Sequence, residues 1–239
     1  MSVSSLNGVE ETTTLMREPT PILISLEGNI GAGKTTIIKE LKRLCPTWHF
    51  IDEPVDAWTS LKTASGDNLL ELFYRDISRW AYTFQNCAVL MRMQLISGAI
   101  NTWKEACKAD PSLAVHNVFI TERSIETDYN VFASMLKDQD RLNDIEWELY
   151  LRWYNMLKTS CSVSGIVYID TPVNVCMQRI KLRGRDGEEN ISESYMNDLD
   201  RFHREWMARK EHPIVLYNNY DDDVQDMPQN IVTFVKKFN

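Results

Sequence analysis

Gly28-Asn29-Ile30-Gly31-Ala32-Gly33-Lys34-Thr35 decides how this chain is read. The octet has the spacing G-x-x-x-x-G-K-T, follows the apolar run Ile22 to Leu26 and precedes Thr36, Ile37, Ile38 and Leu41, so it joins a strand to a helix. Glycines there let backbone N–H groups turn inward around phosphates, and the helix start adds its partial positive charge. Lys34 is placed for the β- and γ-phosphates of a nucleoside triphosphate, the Thr35 hydroxyl for Mg²⁺, and Thr36 follows in the first helical turn. By itself the loop leaves GTPase, ATPase and small-molecule kinase open.

Outward from the loop, short β-rich runs alternate with long helical stretches. Ile22 to Leu26, Trp48 to Ile51, Val118 to Thr121, Ile166 to Asp170 and Ile214 to Tyr217 read as strands. Helical segments are expected over Lys34 to Leu44, Asn68 to Cys107, Ser124 to Lys137, Arg141 to Lys158, Val173 to Leu182, Ser192 to Lys210 and from Val224 onward. The alternation predicts an α/β fold, a parallel five-stranded sheet with helices on both faces. No repeat or Pro/Gly-rich linker divides the chain, so residues 21–239 are expected to form one domain behind a flexible tail, 1–20.

Composition narrows the function classes. The 239 residues carry a net charge of −8, which repels nucleic acid and anionic membranes as a whole and requires a local cationic cluster for any anionic ligand. No apolar run approaches the roughly 18 residues of a membrane helix, and the start has no signal or transit pattern, so the expected compartment is the cytoplasm. Five cysteines without Cys-x-x-Cys spacing read as reduced thiols. The acidic run Asp221-Asp222-Asp223 reads as a solvated turn. On the helix from Arg141, Trp147, Tyr150, Leu151 and Tyr154 form an i, i+3, i+4, i+7 stripe, read as burial within the monomer with a dimer interface as the alternative.

Two cationic features supply the anion contacts. Glu122-Arg123-Ser124 puts a carboxylate and a guanidinium at the carboxyl end of a strand, where open α/β sheets bind ligands. Arg179-Ile180-Lys181-Leu182-Arg183-Gly184-Arg185 places Arg179 and Arg183 on one helix face, with Gly184 ending the helix so that Arg185 reaches from a loop. Beside a phosphate loop, this run reads as a lid closing arginines over a transferring phosphoryl group.

These residues, with Glu53-Pro54-Val55, Trp58, Tyr74, Trp80-Ala81-Tyr82-Thr83-Phe84-Gln85 and Glu188, resemble the deoxynucleoside kinase family from about Ile22 to Leu216, and within it the deoxycytidine and deoxyguanosine kinase branch. The resemblance implies a P-loop kinase-type fold with an arginine-bearing lid (about 183–191) and a homodimer. It implies transfer of the γ-phosphoryl of ATP or another NTP, with Mg²⁺, to the 5′-hydroxyl of a deoxynucleoside. Glu53, at a strand's carboxyl end, is placed to accept the 5′ proton, while Lys34, Arg123, Arg183 and Arg185 place charge around the phosphoryl group. Arg179 is expected with the loop residues at the donor, and Thr35 and Glu122 at the metal.

Gln85, Ala88 and Arg92 share a helix face that suits a nucleobase edge. The resemblance assigns the base to Gln85, with Phe84, Phe132 and Trp58 as walls and Val55 nearby, and gives the sugar 3′-hydroxyl to Tyr74 and Glu188. Arg92 and Asp128 match the pair that faces the base in that branch, which implies deoxycytidine or purine deoxynucleosides rather than thymidine. Gly187 and Phe73 depart from residues often found in relatives, an acid and a methionine. Feedback inhibition by a deoxynucleoside triphosphate is a further implication. A nucleoside monophosphate kinase and a non-catalytic protein with a kinase fold are the alternatives; Glu53 and Glu188 would repel the monophosphate that the first requires.

Overall fold

The run Ile22 to Leu26 offers no solvent face, and every residue of β1 (Ile22–Glu27) is buried. A strand covered on both sides belongs inside a parallel sheet. The computed structural model, which describes residues 18–185, 187–218 and 226–238, places it at the centre of one. With β2 (His49–Ile51), β3 (Val118–Glu122), β4 (Gly165–Asp170) and β5 (Ile214–Asn218) it forms a five-stranded sheet in the order β2-β3-β1-β4-β5. All pairings are parallel, with β1 running from Ile22↔Val118 to Leu26↔Glu122 against β3 and from Ile24↔Gly165 against β4. The chain visits one side of β1 and then crosses to the other, so the carboxyl ends of β1 and β3 open onto a topological switch point.

All five expected strands form, with ends shifted by a residue or so, and α1 (Lys34–Leu44) has the expected bounds. The stretch read as one helix over 68–107 is two. Asp76, at φ −145° and ψ 82°, ends α3 (Leu69–Arg75) and then caps α4 (Ile77–Ala109), its carboxylate accepting from the Arg79 N–H at 3.1 Å. A capping box between Asn68 and Glu71 starts α3. A short helix absent from the sequence reading, α2 (Val55–Ser60), follows β2.

The expected helix over 124–137 is also interrupted. It consists of α5 (Ile125–Thr127), a π-helical turn (Asp128–Ala133) and α6 (Ser134–Asp138), and the Ser134 hydroxyl donates to the carbonyl of Tyr129, five residues back, at 2.7 Å. Such π turns concentrate at functional positions. The remaining helices are α7 (Asp144–Leu157), α8 (Val173–Arg183), α9 (Glu193–Ala208) and α10 (Met227–Val235). The acidic run at 221–223 and the expected helix start at Val224 lie outside the described residues, as do residues 1–17.

On α7 the stripe read from the sequence faces inward: Tyr150 and Tyr154 are buried, Trp147 and Leu151 partly so, and Tyr154 stacks on Tyr129 at 4.3 Å. A different face of α7 exposes Ile145, Leu149, Trp153 and Met156. All five cysteines are free, and no helix among the described residues is long and apolar enough to cross a membrane.

Candidate active site

The carboxyl ends of three strands converge on one cleft of about 490 Å³, a volume suited to a small-molecule ligand. β1 delivers the glycine-rich loop. A Cβ on Gly28 would stand 2.6 Å from the Ile169 carbonyl oxygen and one on Gly31 2.7 Å from that of Cys176, at φ values of +144° and +77°, so only glycine fits either place. The Lys34 ammonium donates to the carbonyls of Gly28 (3.1 Å) and Asn29 (3.0 Å) and lies 3.9 Å from Glu122. Burial pulls Lys34 down to about 8, with Arg123 adding to the effect and Glu122 opposing it. Lys34 is thus a buried cation at the cleft floor, held by two carbonyls with its nearest carboxylate at 3.9 Å.

β3 delivers Glu122 and Arg123. Both Glu122 oxygens accept from the Thr35 hydroxyl, at 2.9 and 3.1 Å. A hydroxyl and a carboxylate together beside the glycine-rich loop are hard oxygen donors of the kind that can hold Mg²⁺ while it keeps waters. Arg123 adopts φ +64°, an uncommon conformation for a side-chain-bearing residue. That turn sends its guanidinium across the cleft to the Glu53 carboxylate and to the Gly28 carbonyl at 3.3 Å, above the Phe132 ring at 5.1 Å.

β2 delivers Glu53, with buried Pro54 behind it. Burial disfavours the Glu53 charge, but Arg123, Arg92 and Lys34 outweigh it and hold the carboxyl at about 2. An acid so flanked accepts a proton only when those cations are drawn elsewhere.

The far end of the cleft comes from α4 and the π turn. Arg92, 2% exposed, donates from Nε to Asp128 at 2.9 Å, from Nη2 to its other oxygen at 3.3 Å and from Nη1 to the Glu122 carbonyl at 2.7 Å. Burial works against this guanidinium, yet Asp128 and Glu53 keep it charged. Gln85, 1% exposed, lines the same end, and neither amide atom has a partner among the described residues. Trp58 and Phe84 meet edge to face at 5.3 Å, and Phe73 stacks behind Phe84 at 4.5 Å.

The arginine run closes the third side. Gly184, at φ +59°, ends α8 as its spacing predicts. Arg183 donates to one Glu188 oxygen at 2.6 and 3.1 Å while Arg185 donates to the other at 3.1 Å. Arg179 donates to the carbonyls of Ala32 (3.1 Å) and Gly31 (3.5 Å). Burial, with Glu188 nearby, pushes the Tyr74 phenol up and keeps it neutral.

Most residues singled out from the sequence line this one cleft: Ile30, Gly31, Gly33, Lys34, Thr35, Thr36, Glu53, Trp58, Tyr74, Phe84, Gln85, Ala88, Arg92, Glu122, Arg123, Asp128, Phe132, Arg179, Arg183, Arg185 and Glu188. Four do not. Gly28 lies against Ile169, Asn29 donates its amide to the Met196 carbonyl at 3.0 Å, Ala32 is wholly buried, and Val55 packs against the core. Leu70 and Lys39 line the cleft without having been read from the sequence. Lys39 stands one helical turn beyond Thr35, a spacing legible in advance, whereas Leu70 fell inside the stretch taken as the start of a longer helix.

Residues 24–239 match the model of a family described as deoxynucleoside kinase. The deoxycytidine kinase of Homo sapiens is 31% identical over 245 residues, covering 90% of both chains. Deoxycytidine kinase 2 of Gallus gallus is 35% identical over 203 residues, covering 78% of this chain and 74% of that protein. The mitochondrial deoxyguanosine kinase of Xenopus laevis is 32% identical over 202 residues, covering 78% and 73%.

Proposed function

Because the chain belongs to the deoxynucleoside kinase family, whose members are phosphotransferases, we propose that it transfers the γ-phosphoryl of ATP, or of another nucleoside triphosphate, to the 5′-hydroxyl of deoxycytidine or a purine deoxynucleoside in nucleotide salvage. The observation that carries the choice of acceptor is Gln85, a buried amide with both polar atoms unpartnered beside the Arg92–Asp128 pair. An orphaned amide in a cleft is satisfied by a ligand that donates and accepts at once, as a base edge does. An arginine at this end crowds a methyl group at the base's 5-position, which disfavours thymidine.

Glu53 lies between that end and the phosphate loop, where a 5′-hydroxyl would stand. An arriving triphosphate draws Lys34 and Arg123 toward its own charge, and Glu53, relieved of them, gains proton affinity as the 5′ oxygen bonds to phosphorus. The proton passes to Glu53, and the bond between the γ-phosphorus and its bridging oxygen breaks. Lys34, Arg123, Arg183 and Arg185 stabilise the charge spread over the transferring group. Thr35 and Glu122 fit a magnesium ion, which when bound supplies neutralising charge at the donor phosphates.

Arg183, Arg185 and Glu188 act as a lid over about 183–191, with Tyr74 and Glu188 receiving the sugar 3′-hydroxyl. Five unpaired cysteines fit a reducing compartment, the cytoplasm. Two copies pair through the apolar face of α7, where Ile145, Leu149, Trp153 and Met156 are exposed. Sedimentation at micromolar concentration is expected to give a dimer, and Trp153→Glu a monomer; a wild-type monomer would exclude the pairing.

Initial rates with Mg·ATP and each of deoxycytidine, deoxyguanosine, deoxyadenosine and thymidine, beside their monophosphates, test the reading. Nucleosides should turn over with thymidine weakest, and Glu53→Gln should lower kcat by roughly 10²–10⁴-fold. Turnover led by thymidine would discard the base assignment, and turnover of monophosphates alone would discard the acceptor.

A further inference from the structure

Glu27 ends β1 with its side chain fully buried and outside the cleft. Its carboxyl accepts hydrogen bonds from three hydroxyls that are themselves fully buried: Ser25, Ser124 at 3.1 Å, and Thr127 at 2.6 Å to each oxygen. An aliphatic side chain would fill this fully buried position more simply. Four mutually satisfied polar residues in such a place form a rigid node, because each lost partner leaves the others buried and unpaired.

What the node holds is the turn at Arg123. The Arg123 N–H donates to the carbonyl of Leu26 at 3.0 Å and its guanidinium to that of Gly28, so Arg123 is tied to both chain neighbours of Glu27. Ser124, next in the chain, is held by the Glu27 carboxyl, and it caps α5 through the Thr127 N–H at 3.3 Å while its own N–H donates to the Thr127 hydroxyl at 3.0 Å. The left-handed conformation of Arg123 is therefore fixed from both sides. Thr127 is followed directly by Asp128, the carboxylate that orients Arg92.

We infer that Glu27 is a positioning residue for phosphoryl transfer: through Ser124 and Thr127 its carboxyl sets both where the Arg123 guanidinium meets Glu53 and where Asp128 presents Arg92 at the base end. Burial pushes the Glu27 carboxyl up, while the hydroxyls of Ser25 and Thr127 and the charges of Arg123 and Arg92 pull the other way. A glutamine has the same shape, accepts from the Ser25 and Ser124 hydroxyls and donates to Thr127, so it should preserve the node. Alanine should not.

The inference rests on the proposed reaction for its kinetic readouts alone. In Glu27→Ala, kcat should fall roughly tenfold or more while the KM for ATP stays within about threefold, since the loop and Lys34 are intact, and the deoxycytidine-to-thymidine preference should shrink several-fold. Glu27→Gln should restore most of kcat and of the preference. Amide exchange over residues 122–128 reads the same node without turnover, with protection lost in Glu27→Ala and kept in Glu27→Gln. Thr127→Val, which removes only the hydroxyl bonded to both Glu27 oxygens, should repeat the alanine result and decides the matter if Glu27→Ala does not fold. Wild-type kcat, preference and exchange in Glu27→Ala or Thr127→Val would overturn the inference, as would a glutamine variant no better than alanine. A wild-type protein that phosphorylates no deoxynucleoside would instead sink the proposed reaction, and exchange would still judge Glu27.

Discussion

Arg92 and Asp128 show what a single buried pair demands. Both are 2% exposed, and each is the main counter-charge of the other. Removing one partner strands a charge in the core, which costs about 3–5 kcal/mol, whereas removing both and filling the space is often close to neutral. Arg92→Met alone should therefore lower unfolding stability by about that amount, and adding Asp128→Ala should recover much of it. Denaturant titration of the two single variants and the double variant measures the coupling, and additive losses would show that the pair is not a closed unit. The same double variant carries the specificity argument, because thymidine should gain on deoxycytidine once the guanidinium and its acceptor are gone.

Between residue and fold stand two elements whose sequence signal is local. The π turn over Asp128–Ala133 reads in the sequence as ordinary helix, since helical periodicity does not report one extra residue in a turn. It places Asp128 and Phe132 along the cleft, so the departure from α-helix lies where the site needs it. The segment around Arg183 was legible because Gly184 and the cations announce an ending helix, but the pairing of both arginines with one carboxylate was not. Glu188 holds the guanidinium groups of Arg183 and Arg185, which the proposed reaction gives to the phosphoryl group. Glu188→Gln should weaken this clamp and, on the proposed reading, the 3′-hydroxyl contact together. It should raise the KM for the deoxynucleoside by about 10–100-fold, the loss of one charged hydrogen bond, while the KM for ATP stays level or falls. Initial-rate matrices in both substrates separate the two effects; a rise confined to the ATP KM would reverse the assignment.

At the scale of the whole molecule, the sequence was most informative where chemistry forces residue type. The loop glycines, the buried strands and the cations at strand ends are dictated by close backbone approach, double-sided burial and anion charge, and all were readable in one dimension. The break at Asp76, the exposed face of α7 and the Glu27 node were not: the first rests on local bonds to Leu72 and Arg79 inside a continuous helical pattern, the other two on what distant parts of the chain cover or supply. His203 belongs to this second group: nothing in its neighbours marks it, yet it is fully buried on α9, stacked on Tyr168, with Nδ1 donating to the Leu199 carbonyl at 2.7 Å. Its Nε2 has no partner among the described residues, so protonation would bury an unsatisfied N–H as well as a charge. Burial, aided by the charges of Arg123, Lys34 and Arg204, pulls its pKa down to about 3 against the pull of the Leu199 carbonyl. The unfolded chain takes up this proton near the ordinary histidine value and the folded chain only far below it. The stability His203 supports is thus fully present above about pH 6.5 and is lost as pH falls toward 3, at up to about 1.4 kcal/mol per unit. His203→Phe keeps a stacking ring without a titrating nitrogen. Its unfolding free energy, measured from pH 6.5 to 4.5, should decline less steeply than that of the wild type by as much as one proton, and equal slopes would mean that His203 titrates alike in the folded and unfolded chains.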